Sequence, residues 1–600
     1  MTQKLEYRLL NDMTAKDIHS LFHPKWTEHG EQEILTLDSI PKWQEEDFAR
    51  LLELSDAERF AAFCALFLPD LDQYHLRELA AAFFQRTERS PLCFTLLNIY
   101  EKSRQMLELW HGSTGSESDL WTGLSLVLRE AYRRSYPEHC FEDEKGRIPY
   151  WLNLPEKDML AAFVEAEHYD AYRVAGVIPA HLKNIARKQL LLDLLPADAS
   201  LFLATKAEAK LVPDARVQTL GQGDLLAPLM VLFCYLWLYL ERLKDEDLGS
   251  SPFVIVLPSH SVRFTLAAFW AKSWGIPIER VLIFSEERNA LTGLISQGHW
   301  NAHLKTEGEN FALQNRADIV RLLAFVTSKE EQQDVLKAFE AKEKIQLSKE
   351  TKRKIQAFCK VSEVGSKQIQ RTLIALYDQF DQMCAKETAL AFDAAEHSWL
   401  ARTDIDYVVL ANDSPLLDAP LLKSALDLKC AKVSACELIE LLSQEGGVEC
   451  YPSYRRAPQK PVWIDTLTEI SFEQIKEALL TGRDYVNPTP HTEKTKKSKG
   501  KSRSNEATRA PEQVEVAQAE ATQAEMTQVD LEKQADLQTV AQASDLEETL
   551  SEDPREKQEE APPKTKAETL RQDQASSEIE TVHSEYDLAD TAPSPRSDQA

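Results

Sequence analysis

Hydrophobic positions recur every three or four residues through DFARLLELSDAERFAAFCALFLP and HLRELAAAFFQR, within residues 1–105. That spacing puts the apolar side chains on one face of a helix, so the N-terminal region reads as helical. From 106 to about 300 the pattern changes. FVIVLP (253–258) is a continuous apolar run, TLAAFWAKSWG is helical, and IPIERVLIF is a second apolar run. Two buried strands joined by a helix of this length point to parallel βαβ units and an α/β domain. Residues 316–400 again read mainly as helix, and DYVVLAND (406–413) as a buried strand. VWIDTL (462–467) and FEQIKEALLTG (472–482) close the folded part.

The run Leu225–Leu240 is almost wholly apolar. It is shorter than the roughly 20 residues a spanning helix needs, Pro228 interrupts its start, and Glu241 and Arg242 come directly after it. A buried core helix is expected, with no membrane association.

Beyond about Asn487 the periodicity stops. HTEKTKKSKGKSRS is a basic, polar run; then Glu, Gln, Ala, Ser and Thr dominate, with Tyr586 the one aromatic residue and no glycine after Gly500. Such a stretch cannot bury enough apolar surface to offset the entropy of ordering it, so 487–600 is expected to be a disordered tail. Residues 504–600 carry 24 acidic and 8 basic side chains, a large share of the chain's net charge of -28. That balance argues against nucleic acid as a partner; an unknown protein partner could engage the tail. The lysine-rich run 494–503 reads as a solvated linker or as a complement to the acidic stretch.

Six hundred residues suffice for three or four domains of about 150 residues. The nine cysteines form no CxxC pair, which fits reduced thiols and a cytoplasmic protein. The N-terminus MTQKLEYRLL has no apolar signal core. His19 and His23 stand four apart, but Pro24 and Trp26 come next and no HExxH context exists, so no metal site is expected.

One set of motifs carries more information. ELWHGSTGSESDL (108–120) resembles the ELFHGPTLAFKD motif of threonine synthases, with His111, Gly112, Thr114 and Asp119 in register. Residues 257–300 parallel that family's VPSGNFGNILAGYYAKKMGLPI and ATNENDVLTDFFKTGTY blocks through Ala267, Ala271, Lys272, Gly275, Pro277, Leu291, Thr292 and Gly298. EYRLLND falls near the family's opening, NRADIVRLLAF (315–325) on SSNFERLLF, KETALAF (386–392) on PHTAVGV, and VVLANDSP (408–415) on VVLATAHP. The blocks occur in the family's order across most of residues 1–425. The resemblance implies the fold-type II architecture of pyridoxal phosphate (PLP) enzymes, tryptophan synthase beta-like: an N-terminal region at 1–105, a two-lobed α/β region at 106–486 and the tail at 487–600.

The same resemblance marks what is missing. The family lysine that carries PLP is replaced by Ser118, and a hydroxyl cannot form an imine with an aldehyde. The PSGNFGN loop, whose glycines let backbone approach the cofactor, is replaced by His260, Ser261, Val262, Arg263 and Phe264, and the two bulky residues are expected to fill that space. The SGDTGSA phosphate loop falls near LNLPEKDMLAA (152–162), which has no glycine and carries Glu156. In the third block Asn412, Ser414 and Leu417 replace threonine, histidine and lysine. No catalytic residue is therefore assigned; Ser261 and Asn412 are vestigial cofactor positions, and His111 and Asp119 are read as structural. The first expectation is a non-catalytic threonine synthase-like protein, a pseudoenzyme with a binding or regulatory role and no cofactor. The alternatives are an active PLP lyase of threonine biosynthesis, converting O-phosphohomoserine to threonine, and an interaction scaffold acting through its tail.

Overall fold

In the computed structural model the described residues are 7–9, 15–23, 34–37, 39–85, 94–99, 102–154, 156–166, 168–179, 200–204, 216–221, 224–249, 251–286, 289–300, 316–341, 343–402, 404–426, 433, 435–448 and a few between 465 and 481. The chain divides into two compact units, Met1–Thr492 and Glu493–Ala600, and every described residue lies in the first. The expected disordered tail lies outside the described residues, as do most of 462–482.

Four sheets occur among the described residues of the first unit, the smallest being the antiparallel pair β12 (His299–Trp300) and β13 (Ile345–Gln346). β1 (Tyr7–Leu9), β2 (Ala15–Lys16) and β3 (Leu35–Leu37) form a small antiparallel sheet near the N-terminus. A five-stranded, all-parallel sheet contains β6 (Ile148–Asn153), β7 (Tyr172–Pro179), β8 (Ser200–Ala204), β9 (Gln218–Gly221) and β16 (Asp465–Thr466), in the order β16-β8-β7-β6-β9. A six-stranded sheet contains β4 (Thr95–Asn98), β5 (Arg104–Glu108), β10 (Phe253–Pro258), β11 (Ile278–Ser285), β14 (Cys359–Glu363) and β15 (Asp406–Ala411). Its order is β14-β11-β10-β15-β5-β4, and within it only β4 runs antiparallel to its neighbour.

The periodic segments form the expected helices. Ser55 caps α3 (Asp56–Phe67) with a reciprocal Glu58 contact, and Asp72 caps α4 (Gln73–Phe84). Their apolar faces bury Phe60, Phe63, Phe67, Leu76 and Phe83. The short strands β1 to β4 interrupt the region that the sequence reads as helical. Two to four residues carry too little period to be distinguished from loop, and β5 crosses residue 105 because it pairs with β15 far along the chain.

The apolar run is α7 (Leu226–Leu243), and every residue from Leu226 to Leu240 is buried. It is long and apolar enough to cross a membrane by composition, yet here it is the core helix of the fold. Phe233 packs edge-on to Phe60, with ring centroids 5.1 Å apart. The buried Arg242 ties the helix end to the six-stranded sheet through Asp406 at 2.5 Å and through Gln105, its guanidinium 4.6 Å from the Phe253 ring. Between β10 and β11 runs α8 (Val262–Trp274), and β10 and β11 pair in parallel, as the βαβ reading requires.

Candidate functional site

The site sits where loops after β5, β10 and β15 meet the start of α5 (Ser118–Ser135) and of α6 (Glu156–Ala166). The loops after β5 and β15 clamp one another. Leu109 N–H donates to Ala411 O at 3.0 Å, Glu117 N–H to Asn412 O at 2.7 Å and Ser414 N–H to Gly115 O at 2.7 Å. Asp119 Oδ2 accepts from Thr114 N–H at 2.9 Å and Ser116 N–H at 3.4 Å, which closes the turn. A side chain at Gly112 would stand 2.1 Å from the Asp119 Cβ, so this turn requires glycine. His111 stacks on Trp110 and its Nε2 lies 2.9 Å from Glu108 Oε2. The motif thus keeps its shape through contacts within the protein itself.

Ser118, the first residue of α5, is fully buried, and its hydroxyl donates to Asp158 Oδ1. Asp158 lies in the first turn of α6, inside the segment the sequence aligns with a phosphate loop. Its other oxygen is 4.0 Å from Arg263 Nη1. Arg263 comes from α8, and its Nε donates to Asp318 Oδ2 at 3.2 Å. The guanidinium lies 4.3 Å from the Trp121 ring centroid. Asp318, on α10 (Arg316–Val326), receives a further hydrogen bond from Arg321 Nη1 at 2.8 Å, and Arg321 Nε donates to Leu35 O of β3 at 2.7 Å. Burial holds the Arg321 guanidinium below its usual range, with Asp318 acting against that shift. Two carboxylates and two guanidinium groups therefore form one chain from Ser118 to the N-terminal sheet, buried except at the partly exposed Arg263.

The other singled-out residues fall around this chain. Ser261 and Asn412 meet, the Asn412 amide donating to Ser261 Oγ at 3.4 Å. Phe264 turns away into the core, where Tyr235 Oη donates to its carbonyl at 3.1 Å. His260 pairs with Glu387 at 3.3 Å on the rim. Ser414 and Leu417 are buried in the turn after β15. Thr292 closes a capping box with Asn289, whose amide donates to Ser259 Oγ at 2.5 Å. The Glu156 side chain lies outside the described residues. His19 Nδ1 lies 2.7 Å from Tyr132 Oη and its ring stacks on His139, and no metal-binding group occurs among the described residues.

Sequence reasoning missed Asp158 and Asp318. Asp318 had a readable signal: an Asp–Arg pair at i, i+3 inside an otherwise apolar helix, RADIVRLLAFV. Asp158 had none, because its partners come from other helices.

No protein-family profile and no curated protein matches the sequence. Solved structures do match its fold. The yeast threonine synthase superposes with a TM-score of 0.64 at 17% identity, covering 79% of this chain and 98% of that one. The PLP-bound threonine synthase of Brucella melitensis gives 0.62 at 13% identity, covering 80% and 99%. The Escherichia coli threonine synthase gives 0.56 at 13% identity, covering 80% and 100%.

The chain has the threonine synthase fold. It is thus an α/β protein of PLP fold-type II, as the motif order implies. Nearly the whole length of each threonine synthase is matched, so the six-stranded and five-stranded sheets, and the helices between them, are elements of that fold. The threonine synthase fold fixes the scaffold around Ser118; the side chains within it are this chain's own.

Proposed function

We propose that this protein is a pseudoenzyme on the threonine synthase scaffold: it does no PLP chemistry and acts by binding or regulating another molecule. The observation that carries the reading is the chain Ser118–Asp158–Arg263–Asp318, in which Ser118 and both carboxylates are buried. PLP catalysis needs a lysine for the imine, a cradle for the phosphate and room for the ring. Ser118 offers a hydroxyl already committed to Asp158. The aligned phosphate segment presents a buried carboxylate, which repels a phosphate dianion. Arg263 lies beside the same carboxylate, 4.0 Å from Asp158 Oδ2 and 4.3 Å from the Trp121 ring centroid. The residues present therefore do not fit PLP, and no reaction step is assigned to it.

The buried α7 and the buried cysteines Cys64, Cys359 and Cys384, none of them in a disulfide, agree with a cytoplasmic protein. The acidic tail is the segment proposed to meet a protein partner.

The test is borohydride reduction in the presence of excess PLP, then peptide mapping. No stoichiometric pyridoxyl-lysine is expected, and purified protein should release no phosphate from O-phosphohomoserine. A single stoichiometric lysine adduct would overturn the reading in favour of an active lyase.

A further inference from the structure

We propose that the space beside Ser118 is a cation site of reversed polarity, whose resident ion is the chain's own Arg263. It rests on the pseudoenzyme reading for what the space once held, but not for its chemistry. Four helices converge on one guanidinium: α5 supplies Trp121, α6 Asp158, α8 Arg263 and α10 Asp318. Each carboxylate divides its two oxygens between Arg263 and a second partner. Asp158 Oδ1 accepts from Ser118 and its Oδ2 faces Arg263 Nη1 at 4.0 Å; Asp318 Oδ1 accepts from Arg321 and its Oδ2 from Arg263 Nε at 3.2 Å. The Trp121 ring supplies a π face at 4.3 Å.

This set of groups selects for a planar, delocalised cation. A guanidinium is weakly hydrated, makes directional N–H contacts to carboxylates and stacks on an aromatic face at the same time. An ammonium could pair with one carboxylate but could not stack. An anion is excluded by both carboxylates. The site is built from charges that only make sense together: Asp158 and Asp318 are buried, and the side chain of Asp318 is 3% exposed and that of Arg263 14% exposed. Removing Arg263 takes the shared cation from two buried carboxylates, of which Asp318 keeps Arg321, and leaves the Trp121 ring face open. The free space then has the chemistry of a guanidinium or small amidinium site.

Chemical rescue tests this without any cofactor. Arg263→Ala should melt several degrees below the native protein, because one partner of a buried ionic group has been removed. Guanidinium chloride at about 10 mM, far below denaturing concentration, should raise the melting temperature of Arg263→Ala by specific binding. It should leave the native protein unchanged, and equal sodium chloride should rescue neither. Arg263→Lys should recover only part of the loss. Equal melting of Arg263→Ala and native protein would overturn the proposal, as would rescue by sodium chloride as good as by guanidinium. Should Arg263→Ala be insoluble, the double variant Arg263→Met/Asp158→Asn decides. It removes one charge of each sign and should return soluble, cooperatively melting protein; a double variant as insoluble as the single one would overturn the proposal. A pyridoxyl-lysine in the borohydride experiment would instead overturn the functional reading and leave these melting comparisons standing.

Discussion

Ser118 is buried at the first turn of α5 with its hydroxyl on Asp158, so a lysine placed there meets a carboxylate before it meets anything else. The ammonium would pair with Asp158 rather than lose its proton to become a nucleophile. We expect Ser118→Lys, with excess PLP, to show no imine absorbance band and no release of phosphate from O-phosphohomoserine. The parts of such a site act as a unit, so restoring one should recover little. Arg129 and Asp224 form a second buried pair, each side chain 1% exposed. Burial alone would depress the Arg129 guanidinium, but Asp224 more than offsets this and the net shift is upward. Asp224→Asn should therefore cost about 3–5 kcal/mol in urea unfolding, because it strands a buried charge. His23 is held at about 4, below the usual 6.5, by burial first and then by the charges of Arg129, His139 and His19. Between those values the unfolded chain binds a proton that the folded chain refuses, so stability falls as pH drops from 6.5 toward 4. His23 is partly exposed and solvent screens the effect. We expect His23→Phe to remove about 1 kcal/mol of the stability lost between about pH 7 and about pH 5, read from urea midpoints.

Among the elements, α8 ends where Gly275 adopts φ +124 and caps the helix by donating to Ala271 O at 3.1 Å. A Cβ there would stand 2.4 Å from Trp43 O. That contact is backbone, which cannot swing aside, and Trp43 N–H is itself held to Trp274 O at 2.6 Å. Gly275→Ala meets both strain in φ and a clash, so we expect a loss of about 1–3 kcal/mol in a urea titration. A substitution as mild as in an ordinary loop would mean that the α8–β11 turn is not closed against the N-terminal segment. How legible an element is depends on its length. α3 and α4 are readable because each repeats its apolar spacing over several turns, and α7 because its apolar run is too long for a strand. β1 to β4 are not, because each is at most four residues long and is held by pairing partners rather than by its own pattern.

Across the whole molecule, composition separates the folded body from its C-terminal stretch. The residues after Asn487 hold one aromatic, Tyr586, and one glycine, Gly500, and carry an acidic excess. We expect limited proteolysis to leave a stable fragment ending near Asn487, identified by intact mass. Protection of the C-terminal region equal to that of the body would contradict this. Truncation at that point should leave the melting temperature of the body within about 1 °C, since surface segments without a core contribute little.

Periodicity and residue chemistry within a short window are enough to mark the helices, to read FVIVLP and DYVVLAND as buried strands, and to put Ser118 where the resemblance expects a lysine. They also expose Arg263 as a bulky group where backbone should come close. They do not say what Arg263 does there. Asp158, Trp121 and Asp318 lie on three other helices, and their meeting is set by the strand order of two sheets and by the packing of the helices between them. A charge inside an apolar helix declares that it needs a partner; the fold alone supplies which one, because the cost of burying that charge is met by groups from other helices.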